Sequence, residues 1–192
     1  MAPSEEFVFN KLYERIDDPE KLPWAHAEPT AFLSNILDSK QAPGTALDIG
    51  CGSGVDSVFL AQKGWQVIAM DFAQQALDMT SQRAKVAGVD VTCIQADAVT
   101  YDLPQTFDIV IDAGVLHNMK KARHAAYRQQ LLNWLTPDGD FVLVHFEKRH
   151  AFDWRPIGPR RVAREDINAY FAPELKEIDY HQHISTGLPI FI

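Results

Sequence analysis

A short apolar run, Thr45-Ala46-Leu47-Asp48-Ile49, meets the turn Gly50-Cys51-Gly52-Ser53-Gly54, which leads into Val55, Val58, Phe59 and Gln62 at helical spacing. This order reads as strand, loop, helix. Glycines at such a junction let the backbone approach a ligand closely and aim the first amides of the helix at it, so a nucleotide-like or carboxylate-bearing cofactor is implied. Asp71 ends the next apolar run, 21 residues after Gly50, where a carboxylate accepts both hydroxyls of a ribose. The spacing is Gly-x-Gly-x-Gly, and Val55 stands where a dinucleotide-binding loop needs the glycine that brings its helix beneath a pyrophosphate. A ribose without a required pyrophosphate is the expectation.

The same alternation continues along the chain. Trp65–Met70 reads as a buried strand; Ala73, Ala76, Leu77, Thr80 and Ala84 mark one helix face closed by Gly88; Val91–Gln95 is a third strand. Phe107–Ile111 is almost unbroken apolar, as a central parallel strand covered on both faces requires. Tyr127, Leu131, Leu132 and Leu135 sign a helix over Arg123–Leu135, ended by the turn Thr136-Pro137-Asp138-Gly139 before a fifth strand, Phe141–Phe146. Lys148–Arg161, with Phe152, Trp154-Arg155-Pro156 and Gly158-Pro159, reads as a long loop, either functional or disordered, before a short helix over Arg164–Phe171. Leu175–Ile184 and Leu188–Ile192, around Ser185-Thr186-Gly187, read as an antiparallel edge hairpin. The expected fold is α/β: a seven-stranded, mostly parallel, doubly wound sheet in one domain of 192 residues.

Composition narrows the function. With 18 Lys+Arg against 26 Asp+Glu the net charge is -8, so the overall field repels phosphate backbones and nucleic acid is disfavoured as a partner. Lys148, Arg149, Arg155, Arg160, Arg161 and Arg164 are interleaved with Glu147, Asp153, Glu165 and Asp166. They form either a solvated face or a site for a small anionic acceptor. No stretch approaches a membrane span, no basic leader precedes an apolar run, and Cys51 and Cys93 are too few for a disulfide framework. A cytoplasmic protein is expected. His181 and His183 share a strand face, but without a third ligand nearby no metal site is expected.

These motifs resemble the class I S-adenosylmethionine-dependent methyltransferases from about Trp24 to Phe171. The likeness is closest to the small-molecule branch, similar to thiopurine S-methyltransferases and tellurite-resistance methyltransferases. It is carried by Leu22-Pro23-Trp24, Gly52-Ser53-Gly54-Val55-Asp56, Asp112-Ala113-Gly114-Val115-Leu116-His117, Arg123 with Tyr127, and Gly158-Pro159-Arg160-Arg161-Val162. Asp138-Gly139-Asp140 departs from the family's double glycine, and Ala113 stands where many relatives carry a basic residue. The resemblance implies a Rossmann-like core over residues 45–192 and a helical lid over 1–40, with Tyr13, Trp24 and Phe32 folding over S-adenosylmethionine. S-adenosylhomocysteine would be the product. Asp71 would hold the ribose, Phe72 would pack on the adenine, and Asp97 with the Ala98 amide would meet the adenine edge. Gly50, Gly52 and Ala113 would hold the methionine end. Trp24, Asp48, Cys51 and Gly54 complete the expected cofactor-binding set; Asp48 either touches the ligand or only shapes the loop, and Cys51 suits a tight turn as a small apolar residue.

The implied reaction is in-line displacement at the sulfonium methyl by a small acceptor, with a thiol or other soft nucleophile favoured. No Asn-Pro-Pro-Tyr or Asp-Pro-Pro-Tyr segment follows the fourth strand, which disfavours nucleobase amino groups. His117 or Asp112 is the candidate base, the alternative for His117 being a hydrogen bond to loop backbone. Arg160, Arg161 and Tyr13 are the candidate acceptor-binding residues. A non-catalytic cofactor-binding protein and a nicotinamide-dependent oxidoreductase are the competing readings.

Overall fold

A computed structural model describes residues 5–16, 18–22, 24–148 and 161–182. In chain order they form helix α1 (Glu5–Tyr13), helix α2 (Leu33–Ser39), strand β1 (Thr45–Ile49), helix α3 (Val55–Gln62), strand β2 (Gln66–Asp71), helix α4 (Gln74–Ala87) and strand β3 (Thr92–Gln95). Strand β4 (Phe107–Asp112), helix α5 (Val115–Asn118), helix α6 (His124–Trp134), strand β5 (Leu135–Leu143) and helix α7 (Arg164–Phe171) follow.

Every strand pairing is parallel, in the order β3-β2-β1-β4-β5, so chain direction reverses its walk through the sheet at β1 and β4. Ile49 pairs with Met70 on one side and Asp112 on the other, which brings the carboxyl ends of β1, β2 and β4 to one edge. That is where open α/β sheets bind ligands. Side chains alternate across the sheet, so adjacent residues feed opposite layers. Leu47 and Val110 face Tyr127, Leu131 and Trp134 of α6 and Phe171 of α7. Ala46, Ile109 and Ile111 face Leu33 of α2 and Leu60 of α3. Because β4 is covered on both faces, Ile109, Val110 and Ile111 are fully buried. Each such burial contributes roughly 1.5–3 kcal/mol before chain entropy is subtracted.

The segment expected as a lid divides in two. α2 belongs to the main core through Leu33, whereas α1 packs its aromatic face over the start of α4. Thr30 joins the two regions by donating its amide (2.7 Å) and hydroxyl (2.7 Å) to Asp56 in the first turn of α3.

Three expectations are corrected. Five strands, not seven, are present among the described residues. Residues 175–182, most of the expected Leu175–Ile184 strand, carry no strand, and Leu188–Ile192 lies outside the described residues, so the hairpin is not seen. Side chains rather than a backbone ladder hold this stretch: Arg128 bonds Glu174, Arg164 bonds Glu177, and the Tyr180 hydroxyl donates to Glu147, leaving Ile178 79% exposed. The turn Thr136-Pro137-Asp138-Gly139 does not precede β5 but lies inside it. Register jumps from Phe107↔Leu135 to Ile109↔Asp140, so these four residues bulge opposite Asp108. α6 accordingly stops at Trp134, one residue earlier than expected, and starts after a turn of 3₁₀ helix at Lys121–Arg123.

Candidate active site

The glycine loop owes its shape to partners beneath it. Gly50 and Cys51 donate their amides to the Met70 carbonyl at 2.7 and 3.1 Å, tying the loop to the end of β2. Gly54 caps α3 at φ +75°, and a Cβ there would sit 2.6 Å from the Thr80 Oγ1, so both backbone and space require glycine. Thr80, fully buried on α4, donates its hydroxyl to the Gly52 carbonyl at 3.1 Å and lies 3.5 Å from the Cys51 Sγ. Arg83, one turn further along α4, donates to the Ser53 carbonyl at 2.8 Å. Sequence reasoning missed both as loop supports; the available signal was a threonine on an otherwise apolar helix face.

Asp71 terminates β2 with its carboxylate 6% exposed, accepting from the Ala73 amide (2.9 Å) and the Gly52 amide (3.1 Å). Burial raises its carboxyl to about 6 against these stabilising amides. A carboxylate has about four acceptor positions, so Asp71 retains capacity for further donors. Asp48 faces the other side of β1's end, fully buried, and accepts from the Ser57 hydroxyl. Burial, with the nearby Asp56 charge adding to it, raises its carboxyl to about 7. Its observed bond ties β1 to the first turn of α3. Burial also pushes the Cys51 thiol upward, which suits packing rather than reactivity.

Aromatic rings stand over the loop. The Gly52 Cα faces Tyr13 and Trp24, whose Oη and Nε1 would lie 3.6 and 3.7 Å from an added Cβ. Tyr13 and Trp24 meet edge to face at 5.4 Å, and burial drives the pKa of the Tyr13 hydroxyl upward. Phe9, which the sequence did not single out, links Trp24 (5.2 Å) to Phe72 (6.0 Å). Phe32 lies apart from this cluster, edge to face with the exposed His181 at 5.8 Å. Asp97 follows β3; its carboxylate accepts from the Val99 amide at 2.9 Å and pairs with Arg123, while Ala98 is buried beside it.

The β4–α5 turn supplies the second half of the site. Asp112 is fully buried, and its carboxylate accepts from the amides of Gly114 (2.9 Å), Val115 (2.6 Å) and Leu116 (3.0 Å) and from the Tyr127 hydroxyl. Four donors occupy it. Ala113 packs into the layer with Leu33 and Ile111. His117 on α5 is 7% exposed, and its Nδ1 is buried without a partner. Burial lowers its pKa, against the raising effect of Asp112, so the imidazole is held toward its neutral form. Phe146 meets the His117 ring edge to face at 4.9 Å, and the Arg161 guanidinium stands 5.8 Å over the Phe146 ring. Arg161 also donates to the Glu147 carbonyl at 3.1 Å, alongside the bridge between Glu147 and Val162. Arg160 and His183 lie outside the described residues, where the structure places neither. Among the described residues, no cluster of three or more His, Cys, Asp or Glu could hold a metal ion, and no helix is long and apolar enough to cross a membrane.

A family model for a methyltransferase domain matches residues 46–139. The 2-heptyl-1-hydroxyquinolin-4(1H)-one methyltransferase of Mycobacteroides abscessus is 27% identical over 177 residues, covering 89% of this chain and 74% of the relative. Thiocyanate methyltransferase 1 of Brassica oleracea is 27% identical over 131 residues, covering 65% of this chain and 56% of the relative. The chain therefore spans little more than half the length of the Brassica oleracea enzyme. Magnesium protoporphyrin IX methyltransferase of Synechocystis PCC 6803, solved with bound S-adenosylmethionine, shares the fold with a TM-score of 0.65 at 17% identity, over 88% of this chain and 85% of that one.

Proposed function

We propose that the chain is a class I S-adenosylmethionine-dependent methyltransferase that methylates a small acceptor through a sulfur or oxygen that ionises readily, with His117 as the base. The observation that carries this reading is the unpartnered, buried His117 Nδ1 at the carboxyl edge of the sheet. Leaving such an atom unbonded costs about 1–3 kcal/mol, and a polar acceptor atom reaching it would offset that cost.

The residues present fit the cofactor. Asp71 is a buried carboxylate with acceptor capacity left, and two ribose hydroxyls would satisfy it. The glycine loop offers a surface without side chains beneath Tyr13 and Trp24, suited to the methionine end, and Phe72 stands beside Asp71 for the adenine. When bound, S-adenosylmethionine supplies a methyl group on a positively charged sulfur, open to in-line displacement. Tyr13, Trp24 and Phe9 would exclude water from the loop, so that the acceptor rather than solvent meets the methyl. Acceleration comes mainly from aligning the two reactants.

His117 Nδ1 would take the acceptor's proton, because it is buried without a partner and burial holds the imidazole toward its neutral form. Asp112, with four donors on its carboxylate, is assigned to holding the turn rather than to accepting a proton. Phe146 and Arg161 border the acceptor's position and favour a planar or anionic molecule. The names of two relatives, one specifying a hydroxyquinolone and one thiocyanate, support acceptors of this kind.

The test is steady-state kinetics on thiols, thiocyanate and N-hydroxy heteroaromatics. Arg161→Gln should raise KM for anionic acceptors at least fivefold more than for neutral ones. Equal changes for both classes would remove Arg161 from acceptor binding.

A further inference from the structure

Tyr127 lies on α6, fully buried, one helix beyond His117 on α5. Its hydroxyl is the one side-chain donor to the Asp112 carboxylate among the described residues; the other three donors are the amides that open α5. α5 has only four residues, too short to be stable by its own hydrogen bonds, so its position depends on what caps and packs it. Asp112 supplies the cap. Val115, in the first turn of α5, packs so closely on Gly50 that an added Cβ would overlap its Cγ2 methyl. The Val144 amide donates to the Asp112 carbonyl at 2.8 Å, and, two residues on, Phe146 meets the His117 ring edge to face at 4.9 Å. The Asp112 carboxylate thus caps α5, while its backbone carbonyl holds Val144 just beyond β5 and Val115 seats α5 on the glycine loop.

We propose that Tyr127 is a positioning residue: by donating its buried hydroxyl to Asp112 it fixes α5 and holds the His117 imidazole facing the acceptor. The inference rests on the reading of His117 as the base. Removing the hydroxyl leaves a fully buried carboxylate with three backbone donors and frees α5 to turn about its N-terminus. The His117 ring then loses its fixed direction. Asp71 ends β2, and the glycine loop between β1 and α3 keeps its bonds to the Met70 carbonyl and the Thr80 hydroxyl, which Tyr127 does not touch, so the proposed cofactor contacts are retained. Phenylalanine fills the same core space beside Leu131 and Trp134, which separates loss of the hydroxyl from loss of packing.

The test is a double-mutant cycle on kcat with a thiol acceptor, using Tyr127→Phe, His117→Ala and the pair, with S-adenosylhomocysteine affinity measured for each. Tyr127→Phe should lower kcat 10- to 100-fold in the otherwise unaltered protein and less than twofold in the His117→Ala background. S-adenosylhomocysteine affinity should stay within threefold throughout. Equal factors in both backgrounds, or no loss in the single variant, would overturn the positioning role. If His117→Ala alone leaves kcat unchanged, the reading of His117 as base fails, a result distinct from additivity. A readout independent of turnover is the histidine-ring nitrogen NMR spectrum. Tyr127→Phe should shift or broaden the His117 signals and leave those of His26 and His181 in place; unchanged His117 signals would overturn the proposal.

Discussion

At the scale of single residues, burial sets the chemistry. The Asp71 carboxyl is raised to about 6, so in its proposed role it would become an ionised acceptor for ribose hydroxyls only as pH rises through that value. S-adenosylhomocysteine should therefore bind more tightly at pH 7.5 than at pH 5, and Asp71→Asn should flatten that dependence; calorimetry across this range reads it. Asp71→Ala should weaken binding at neutral pH by about 1–3 kcal/mol through loss of charge-assisted bonds. The sign for stability is the reverse. A carboxyl raised in the folded state binds its proton more tightly there than when unfolded. Its stabilisation is full below the unfolded value near 3.8 and is lost as pH rises through about 6 for Asp71 and about 7 for Asp48. The ligand-free protein should melt at a lower temperature at pH 7.5 than at pH 5 by this contribution, and Asp48→Asn should reduce the difference. His117, held toward neutrality by burial, sets the other pH prediction. His117→Ala should lower turnover about 10- to 1000-fold at neutral pH, and by less once pH exceeds the acceptor's own pKa, when no base is needed. A loss that does not shrink with pH would point to a packing role.

At the scale of elements, the glycine loop depends on α4 as much as on its own sequence. Gly88, which ends α4 at φ +68° with no atom within 4 Å of an added Cβ, offers a control for Gly54. Gly88→Ala should cost only the backbone strain, about 1 kcal/mol. Gly54→Ala adds collision with Thr80 and should cost roughly 2–4 kcal/mol; denaturant unfolding of both variants measures the gap. Thr80→Val, close to isosteric, should leave the fold in place and weaken S-adenosylhomocysteine binding about 2- to 10-fold, because the donor to the Gly52 carbonyl is lost. The strand–loop–helix unit was legible from sequence because its signals are local: apolar run, glycines, helical spacing. α7 was legible on the same grounds, and its observed bounds match Arg164–Phe171. The bulge in β5 was not, since a Pro-Asp-Gly turn signature carries no information about whether the neighbouring strand leaves room for four residues opposite one.

At the scale of the whole molecule, parallel order and ligand edge followed from the alternation of apolar runs and helices, because right-handed crossovers leave few alternatives. What did not follow was long-range. The Asp112–Tyr127 bond spans 15 residues, Thr80 meets the Gly52 carbonyl across 28, and Arg83 meets Ser53 across 30. No local pattern announces such pairs, yet they shape the loop and the turn that face the ligand. The Leu175–Ile184 expectation failed for a related reason: alternating apolar residues described a strand, but ion pairs from α6 and α7 hold that stretch instead. The proposed function joins a methyl-donor loop and a neutral histidine at one sheet edge to methylate a small ionisable acceptor. It is tested most directly by incubating the protein with methyl-labelled S-adenosylmethionine and a panel of thiols, thiocyanate, N-hydroxy heteroaromatics, RNA and protein, and reading the label by mass spectrometry. The label should appear on a small thiol, thiocyanate or hydroxylated acceptor, with S-adenosylhomocysteine formed in equal amount; label found only on RNA, protein or carbon acceptors would contradict it.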